Sequence, residues 1–410
     1  MNIWLVNHYA VQPKQGGGTR HYDLAQELNS RGYDVTVWAT SRSHSDGSEY
    51  RVHEGWRPIV EYVDGVRWVW IRTTFYHGNG PRRGLNMMSF FFNFLISALF
   101  WTTHSVPKPD LIVGSSVHPL TPLATWMLSR YWRLPALTEI RDIWPEALLE
   151  YPLSRYHPAY LLFEVIEKFV YRFSDGIVTL LPNSMSHIEE LGADPNKIFW
   201  VPNGTGMEIV KRTPLDGPFR AIYLGSISRQ YRLEFVLQAA QILQQRSEPI
   251  EIIIQGGGPD HERLQGIAKE LNLSNLTFKG QVPKSEVPGI LSSHDALIYS
   301  TPRVKLHKFG LSANKLFDYL ASGRPVLFAC GAVNNPVEQA DAGVSVTPGE
   351  PEEIADGLVE LMRAGPDERL AMGQRGQQFI AEHHTISAIC SKFERALLET
   401  AESWSSKRGR

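Results

Sequence analysis

Two glycine triplets stand between an apolar segment and a segment with helical patterning. Gly16-Gly17-Gly18 follows the apolar residues 3–6, and Gly256-Gly257-Gly258 follows the isoleucines 252–254. Glycine lets a backbone approach a ligand closely, and a helix N-terminus offers free N–H groups to an anion. His21 and His261 stand where a G-x-G-x-x-G pattern would have its third glycine, which disfavours a dinucleotide site. For each triplet, contact with a nucleotide and a plain loop or turn both stay open.

A third segment, Ser312-Ala313-Asn314-Lys315, could also bind an anion. A helix that starts near Ser312 would direct its free N–H groups, with the side chains of Asn314 and Lys315, toward a group such as a diphosphate. Asp318 lies one turn further, where its carboxylate could accept hydrogen bonds from a ribose diol. The alternative is a capped amphipathic helix with Lys315 on a solvated face.

Ionisable residues also follow two predicted strands in the first half of the chain. Glu139, Arg141 and Asp142 stand among apolar residues. Buried charges are costly unless they are paired or functional, so the segment is either a reactive site or holds a structural Arg141–Asp142 ion pair. His118 follows the strand at 111–113 and could be catalytic or structural.

The elements that position these residues alternate along almost the whole chain. Strand-like runs followed by helix-like patterns predict parallel sheets with crossover helices. Asp64-Gly65 between two apolar runs predicts a β-hairpin. The predicted strands cover 3–6, 35–39, 59–63, 66–71, 111–113, 136–140, 176–180, 198–201, 220–224, 251–254, 276–278, 296–299, 326–328 and 344–346. The predicted helices cover 22–31, 231–245, 260–271, 312–321, 351–364 and 366–402.

Breaker residues near the middle of the chain divide this pattern into two halves. Pro202-Asn203-Gly204 and the segment 213–218 carry little periodicity. We therefore expect an α/β fold of two Rossmann-like, doubly wound domains, over 1–205 and 206–385, that face one cleft. A C-terminal helix and tail over 386–410 could cross back to the first domain. Open parallel sheets bind ligands at the carboxyl ends of their strands, so the cleft is the expected site.

Composition excludes several other classes of protein. The 410 residues are 43% apolar and 20% charged, which is typical of a globular rather than a disordered chain. Lysine plus arginine (41) nearly balance aspartate plus glutamate (43), which argues against a general nucleic-acid binder. Cys330 and Cys390 form no disulfide framework or zinc-ligand spacing, and the N-terminus has no secretory pattern. We therefore expect a cytoplasmic location.

One apolar run, from Met87 to Trp101, bears on a membrane partner. The run is shorter than the roughly 20 residues that cross a bilayer as a helix. Its six aromatic residues and the preceding Arg82 and Arg83 are typical of a helix that lies in a membrane interface. A buried core helix would have the same apolar content, and both interpretations stay open.

In this order and spacing, these blocks resemble the retaining glycosyltransferases of family 4, which have the GT-B fold. The resemblance runs along nearly the whole chain, and the segment 139–146 looks like the branch that makes bacterial surface polysaccharides and amino-sugar linkages. The best-fitting parts are Gly16-Gly17-Gly18, Val201-Pro202-Asn203-Gly204, Tyr223-Leu224-Gly225, Gly256-Gly257-Gly258-Pro259, Phe278-Lys279-Gly280 and 315–325.

The resemblance implies a transferase of hexosyl or N-acetylhexosaminyl type that needs no metal or other cofactor. Its C-terminal domain would bind a nucleotide-sugar donor, preferably a UDP-sugar, and its N-terminal domain a saccharide or lipid-linked acceptor. By the same resemblance, Asp142, His118 and Arg141 are the catalytic candidates. The donor-binding candidates are Gly17, Gly18, Arg229, Gly257, Gly280, Val282, Ser312, Asn314, Lys315 and Asp318.

Three positions depart from the family pattern. Asp318 stands where the family has a ribose-binding glutamate, and the second glutamate of that pair falls on Gly310. The loop after the first strand of the second domain lacks the family's basic pair, so Arg229 or Arg232 would substitute. Ser115, not a histidine, stands nearest the family's histidine position. Two alternatives therefore stay open: a non-catalytic partner subunit of the same fold, and a nucleotide-sugar epimerase that needs no acceptor.

Overall fold

The computed structural model describes residues 1–15, 17–44, 47–76, 78, 80–101, 106–150 and 153–408. The chain divides into two compact units. Unit 1 comprises Met1–Pro202 and Ile386–Arg410, and unit 2 comprises Asn203–Thr385. The chain therefore leaves unit 1 after Pro202 and returns to it at Ile386.

In the described part of unit 1, eight strands form one sheet and five helices connect them. The strands are β1 (Asn2–Val6), β2 (Asp34–Thr40), β3 (Ile59–Val63), β4 (Val66–Ile71), β5 (Leu111–Ser116), β6 (Ala136–Ile140), β7 (Gly176–Thr179) and β8 (Ile198–Trp200). The helices are α1 (Arg20–Ser30), α2 (Pro81–Phe100), α3 (Leu120–Trp132), α4 (Pro158–Phe173) and α5 (Met185–Glu190). The strand order is β3-β4-β2-β1-β5-β6-β7-β8, and all pairs are parallel except β3 with β4.

Helices cover both faces of this sheet because successive strand residues point to opposite faces. In β1, Ile3 and Leu5 pack in the same core as α1, whereas Trp4 and Val6 pack in the core of α2 and α3. Burial of such side chains stabilises the sheet by roughly 25 cal/mol per Å² of apolar surface. The two apolar layers fix the central strands and hence the loops that follow them.

The described chain of unit 2 forms a second sheet, of six parallel strands. The strands are β9 (Phe219–Leu224), β10 (Ile250–Gln255), β11 (Leu276–Lys279), β12 (Ala296–Ser300), β13 (Val326–Ala329) and β14 (Gly343–Ser345), in the order β11-β10-β9-β12-β13-β14. The helices are α6 (Glu234–Gln245), α7 (His261–Glu270), α8 (Val287–Ser292), α9 (Asn314–Ala321), α10 (Pro336–Gln339), α11 (Pro351–Arg363) and α12 (Gly365–His383). Ala221 packs with α6 and α11, and Ile222 packs with α9 on the other face.

The last described helix is α13 (Ile386–Arg408), which is separate from α12, so the single helix predicted over 366–402 is wrong. α12 ends at His383, and the carbonyl of His384 accepts a hydrogen bond from the Thr205 N–H at 2.9 Å instead of continuing the helix. The His384 ring also stacks on Phe317 at 4.2 Å. α13 then packs against α1 and β7 in unit 1. Contacts distant in sequence therefore break the helical pattern.

The hairpin prediction is confirmed, and its turn has the expected backbone. β3 pairs antiparallel with β4, and Asp64 and Gly65 join them with φ angles of 48° and 81°. Two left-handed residues make the turn twist match the twist of the strands. The local signal was sufficient here because the turn depends on its own two residues.

The helix that contains the apolar run is longer than the sequence predicted. α2 begins at Pro81 and has 20 residues, which is enough by length and composition to cross a membrane. Phe90 and Phe94 are buried against the sheet. The opposite face exposes large apolar side chains at spacings of three and four residues: Leu85, Met88, Phe92, Ile96 and Phe100. α2 is thus a core helix on one face and an exposed apolar surface on the other.

Candidate functional site

The topology of each sheet marks one position for a ligand. In unit 1 the strand order reverses between β1 and β5, and in unit 2 it reverses between β9 and β12. Open α/β sheets bind ligands beyond the carboxyl ends of the strands at such a switch point. The loops after these four strands therefore hold the candidate site residues of each unit.

Glycines bring the loops after β9 and β10 into backbone contact. Gly225, Gly256 and Gly258 have φ angles of 151°, 150° and 152°. A Cβ on Gly256 would lie 1.8 Å from the Gly225 carbonyl oxygen, and one on Gly258 would lie 2.1 Å from the backbone of the same loop. The outer glycines of the triplet therefore have a structural role. Gly257, the predicted donor contact, lies instead beside Gln281, whose Oε1 would be 3.0 Å from a Cβ.

The ammonium group of Lys315 lies beside β9 and β12 in a cage of tyrosines. Nζ donates a hydrogen bond to the Tyr223 hydroxyl at 2.9 Å and lies 4.2, 3.9 and 5.7 Å from the ring centroids of Tyr223, Tyr231 and Tyr299. Burial lowers the pKa of Lys315 to about 7, and no described carboxylate opposes this effect. Cation–π contacts stabilise an ammonium without neutralising it. The arrangement is suited to an anion.

The other predicted contacts near Lys315 are tied to the first residues of unit 2. α9 begins at Asn314, so the helix predicted from Ser312 starts two residues later. The Ser312 Oγ accepts a hydrogen bond from the Asn203 N–H at 2.8 Å. Asp318 accepts one from the Thr205 hydroxyl at 2.6 Å. The segment 203–205 thus fixes both side chains, a role that the sequence pattern did not reveal.

The structure places Arg229 and Arg232, the two arginines expected to substitute for the family's basic pair, beside carboxylates. Arg229 is 83% exposed and its Nε lies 3.8 Å from Asp260, which Arg263 also binds. Arg232 Nε lies 4.0 Å from Glu234. Both of the substitutes expected for the family's basic pair therefore face carboxylates of their own unit.

Three further positions of unit 2 bear on the sequence predictions. A Cβ on Gly280 would meet no heavy atom within 4 Å, so space allows a side chain there. Val282 packs against the apolar core on the α9 side of the sheet. Gly310 has a φ angle of 101°, in the left-handed region that favours glycine. The backbone conformation therefore explains the glycine where the family pattern has glutamate.

In unit 1, His118 meets a second histidine at the switch point. His8 follows β1 and His118 follows β5, and His8 Nδ1 lies 2.7 Å from His118 Nε2. Both side chains are fully buried. Burial is the largest cause that lowers the pKa of His118, to about 3, and the charge of Arg83 adds to it. No sequence pattern indicated His8, because a histidine after a first strand has no motif of its own.

Arg141 and Asp142 do not form the structural ion pair considered from the sequence. Glu139 instead forms an ion pair with Arg20 and a hydrogen bond with His21, each at 2.8 Å. Asp142 lines a narrow pocket, where desolvation raises its pKa against the charges of Arg141 and Arg83. The carboxyl of Asp142 is thus close to positive charge but forms no ion pair with any described residue.

The carboxylate of Glu139 is the centre of a buried network that no sequence pattern indicated. Ser115 Oγ donates to Glu139 Oε2 at 2.7 Å, and the Arg20 guanidinium also donates to the carbonyls of Val201 and Pro202. Burial would raise the pKa of Glu139, but the charges of Arg20 and His21 hold it well below its usual value. The serine at the family's histidine position therefore belongs to this network.

The first glycine loop leads directly into that network. Gly17 has a φ angle of 84°, which favours glycine, and Gly18 follows it before α1. Gly16 lies outside the described residues. Arg20 and His21 stand in the first turn of α1, so the loop is anchored at its C-terminal end by the two bonds to Glu139.

Within the described chain, no group of three His, Cys, Asp or Glu side chains could hold a metal ion.

Comparison with known sequences covers both units. Residues 15–204 match the glycosyl transferase 4-like domain, and residues 208–379 match the domain of glycosyl transferases group 1. The α-D-kanosaminyltransferase of Streptomyces kanamyceticus is 24% identical over 183 residues, 44% of this chain and 46% of that protein. An uncharacterized glycosyltransferase of Methanocaldococcus jannaschii is 22% identical over 241 residues, 55% and 58% of the two chains. The chain thus matches about half the length of these curated relatives.

Solved structures resemble the chain over nearly its whole length. Sucrose-phosphate synthase from Thermosynechococcus elongatus has a TM-score of 0.70 at 17% identity, over 96% of this chain and 97% of that chain. Anabaena HepE, in complex with UDP-glucose, has a TM-score of 0.66 at 14% identity, over 99% and 100%. WaaG, a glycosyltransferase involved in lipopolysaccharide biosynthesis, has 0.66 at 13%, over 96% and 99%. At these identities the likeness shows the fold.

Two doubly wound parallel sheets and these structural likenesses define an α/β fold of the GT-B class. The two matched domains, which together extend from residue 15 to residue 379, specify the family within that class. The chain belongs to the family 4 type of glycosyltransferases.

Proposed function

We propose that the protein is a retaining, metal-independent glycosyltransferase that moves a hexosyl or N-acetylhexosaminyl group from a UDP-sugar to an acceptor. The observation that carries this proposal is the ammonium of Lys315, held by tyrosines at the switch point of unit 2. Negative charge develops on the nucleotide diphosphate as the sugar leaves, and a preorganised cation stabilises that charge. The likeness of the fold to HepE, which binds UDP-glucose, supports UDP as the nucleotide.

In this proposal unit 2 binds the donor. Lys315, with Ser312 and Asn314, lies at the diphosphate, and Asp318 accepts hydrogen bonds from the ribose. The further contacts are Gly17, Gly18, Arg229, Gly257, Gly280 and Val282. The Thr205 hydroxyl supports this role for Asp318, because it fixes the carboxylate by a 2.6 Å hydrogen bond.

Unit 1 binds the acceptor and supplies Asp142, His118 and Arg141. The acceptor oxygen attacks the anomeric carbon from the face of the leaving group, so the configuration is retained. The bond from the sugar to the diphosphate breaks as the new glycosidic bond forms, and the acceptor proton passes to a diphosphate oxygen. In this proposal the carboxyl of Asp142, which is exposed, orients the acceptor hydroxyl.

The exposed face of α2 supports a lipid-linked saccharide as the acceptor. The apolar side chains of this face follow Arg82 and Arg83 in the first turn of the helix. A helix in a bilayer interface places apolar residues in the acyl boundary and basic residues among anionic headgroups. The protein would then act in the cytoplasm, on the inner face of the membrane, in the synthesis of a bacterial surface glycan.

The alternative of a non-catalytic partner subunit depends on Gly310, which stands where the family pattern has glutamate. Gly310 lies in the left-handed region, so its glycine serves the backbone conformation of the loop. The ammonium of Lys315, which has no carboxylate beside it among the described residues, also favours a working anion site over a remnant, because a buried charge without a function is costly.

The first experiment is a thermal-shift screen against UDP, GDP and ADP, each with magnesium and with EDTA. We expect UDP to raise the melting temperature equally in both, since a ligand at 100 times its Kd stabilises the folded state by about 2.7 kcal/mol. Transfer from UDP-sugars to lipid-linked and free saccharides is then measured by product analysis. Asp142→Ala should keep the UDP shift and lose turnover.

The outcomes separate the three candidate functions. No shift with any of the nucleotides at millimolar concentration would contradict the donor site and favour the partner subunit. A changed sugar nucleotide formed without an acceptor would show an epimerase. A UDP shift that requires magnesium would contradict metal independence alone.

A further inference from the structure

The two histidines at the switch point of unit 1 are held in one fixed arrangement. His8 lies between the Tyr9 ring, at 4.0 Å and 13°, and the Phe90 ring, at 4.3 Å and 12°. The His118 ring stands almost perpendicular to His8, at 87°. Stacked and edge-to-face contacts favour these orientations. His8 therefore cannot rotate without losing two stacking partners, and it holds the 2.7 Å contact to His118 in place.

The contact with His8 determines which ring nitrogen of His118 is available for a second hydrogen bond. Nε2 is taken by His8, so Nδ1 remains. Neither His118 Nδ1 nor His8 Nε2 has a hydrogen-bond partner among the described residues, although both atoms are buried. A buried polar atom without a partner is costly, and a substrate group that supplies the bond would remove this cost. His118 Nδ1 is thus an unpaired position at the place where the sheet topology predicts a ligand.

The charge state of His8 and His118 determines which kind of group His118 Nδ1 is suited to bind. Burial is the first cause that lowers the pKa of His8, well below its usual value, and His118, His44 and Arg83 act in the same direction. Both rings are therefore neutral near pH 7. In a neutral imidazole one nitrogen donates and the other accepts, so the bond between the rings gives the two outer nitrogens opposite characters. A neutral ring of this kind matches a hydroxyl, which can donate or accept, better than a phosphate.

We propose that His8 is a positioning residue that acts through His118. It holds His118 so that Nδ1 forms a hydrogen bond with a hydroxyl group of the acceptor sugar. The proposal rests on the proposed transferase function for its substrate, but the hold of His8 on His118 can be measured without any substrate.

The substrate-free test is NMR of the full chain labelled with 15N-histidine. The nitrogen shifts of each ring report which nitrogen carries the proton. We expect His118 in the wild-type protein to be neutral from pH 5 to 8 in one dominant tautomer. His8→Phe keeps the stacked ring and removes the bond, so His118 should become a mixture of tautomers. An unchanged His118 spectrum in His8→Phe would overturn the proposal, whether or not the protein proves to be a transferase.

The activity test uses the UDP-sugar and acceptor found in the screen. His8→Phe should lower kcat roughly tenfold with the KM for the UDP-sugar unchanged, and should add little to His118→Phe in the double variant. His8→Asn places an amide near the position of Nδ1 and should recover most of the loss. His8→Asn equal to His8→Phe, or additive losses in the double variant, would overturn the proposal.

A control at a half-buried histidine separates this effect from loss of a hydrogen-bonded histidine in general. His53 of unit 1 also forms two hydrogen bonds, to Ser41 and to the Arg57 carbonyl, and burial also lowers its pKa. His53→Gln should leave kcat and the His118 spectrum unchanged. Melting temperatures of all variants are measured first, and a loss of kcat that simply follows the melting temperature across His53→Gln and His8→Phe would count against positioning.

Discussion

The two switch points share one sheet topology and differ in how their charges are compensated. In unit 1 the buried guanidinium of Arg20 is paired with Glu139, and the two histidines at the strand ends are neutral. In unit 2 the ammonium of Lys315 has tyrosine rings and a hydroxyl around it but no described carboxylate.

A compensated charge and an uncompensated one have different consequences. The Arg20–Glu139 pair satisfies both partners, so its removal should cost stability and leave nucleotide binding intact. Lys315 is costly to the unliganded protein, because desolvation disfavours its charged form. A diphosphate would supply the missing negative charge. Under the proposed function, the charges of unit 1 hold the structure, whereas the charge of unit 2 serves a ligand.

The largest effect should come from Glu139→Gln. This substitution leaves the buried Arg20 without its carboxylate, and breaking a buried ion pair costs about 3–5 kcal/mol. Urea unfolding of the full chain measures the free energy of unfolding. The matched control is Glu164→Gln, which removes an exposed pair with Lys168 and should cost under about 1 kcal/mol. Equal losses in the two variants would show that Arg20 is not held by Glu139.

Lys315→Met should separate binding from stability. We expect the affinity for UDP to fall by roughly 100-fold, about 2.7 kcal/mol, since a charged contact to the diphosphate is lost. The free energy of unfolding should not fall, because methionine fills similar volume and carries no charge that burial disfavours. Calorimetric titration with UDP measures the affinity, and Lys308→Met, at an exposed lysine of unit 2, is the control. Wild-type affinity in Lys315→Met would contradict the diphosphate site.

The pH dependence of UDP binding should follow the titration of Lys315. Its pKa is about 7 in the unliganded protein, and an anion beside it would raise that value toward the ordinary 10.5. Binding then takes up a proton, so the affinity should fall by roughly tenfold per pH unit between about pH 7.5 and 9. Lys315→Met should remove this slope, which isothermal titration at several pH values would reveal.

The stability of the unliganded protein should depend on pH in the opposite direction. Between about pH 7 and 10.5 the unfolded lysine binds more protons than the folded one. The contribution of Lys315 to the free energy of unfolding therefore rises with pH over this window and is lost as pH falls through it. The difference between wild type and Lys315→Met at pH 7 and pH 9 isolates the effect.

The smallest effect should be that of Asp318→Ala. A ribose diol would lose one hydrogen-bonding partner, which corresponds to roughly a tenfold loss of UDP affinity. Inorganic diphosphate, which has no ribose, tests whether the loss is specific to the ribose: its affinity should not change. If UDP binds Asp318→Ala as tightly as wild type, the ribose assignment is wrong, and the Thr205–Asp318 bond is structural only.

Local patterns predicted the elements well where the determinants are themselves local. The Asp64-Gly65 hairpin depends on two residues, and the strands of both sheets depend on their own apolar runs. The last predicted helix failed because the His384 carbonyl is bound by Thr205, almost 180 positions earlier. The length of α2 was underestimated because Pro81 can begin a helix, and the apolar run marked only its later part.

The sequence by itself determined the alternation of strands and helices, the order of the motifs and the family, because apolar periodicity and glycine positions are properties of short segments. Only the tertiary structure decided which charged groups are paired. Glu139 lies beside Arg20, His8 beside His118 and Lys315 among tyrosines because parallel strands bring the ends of distant segments to one edge of a sheet. Burial and pairing depend on those long-range contacts, which place a carboxylate beside the buried arginine of unit 1 and no described carboxylate beside the ammonium of unit 2.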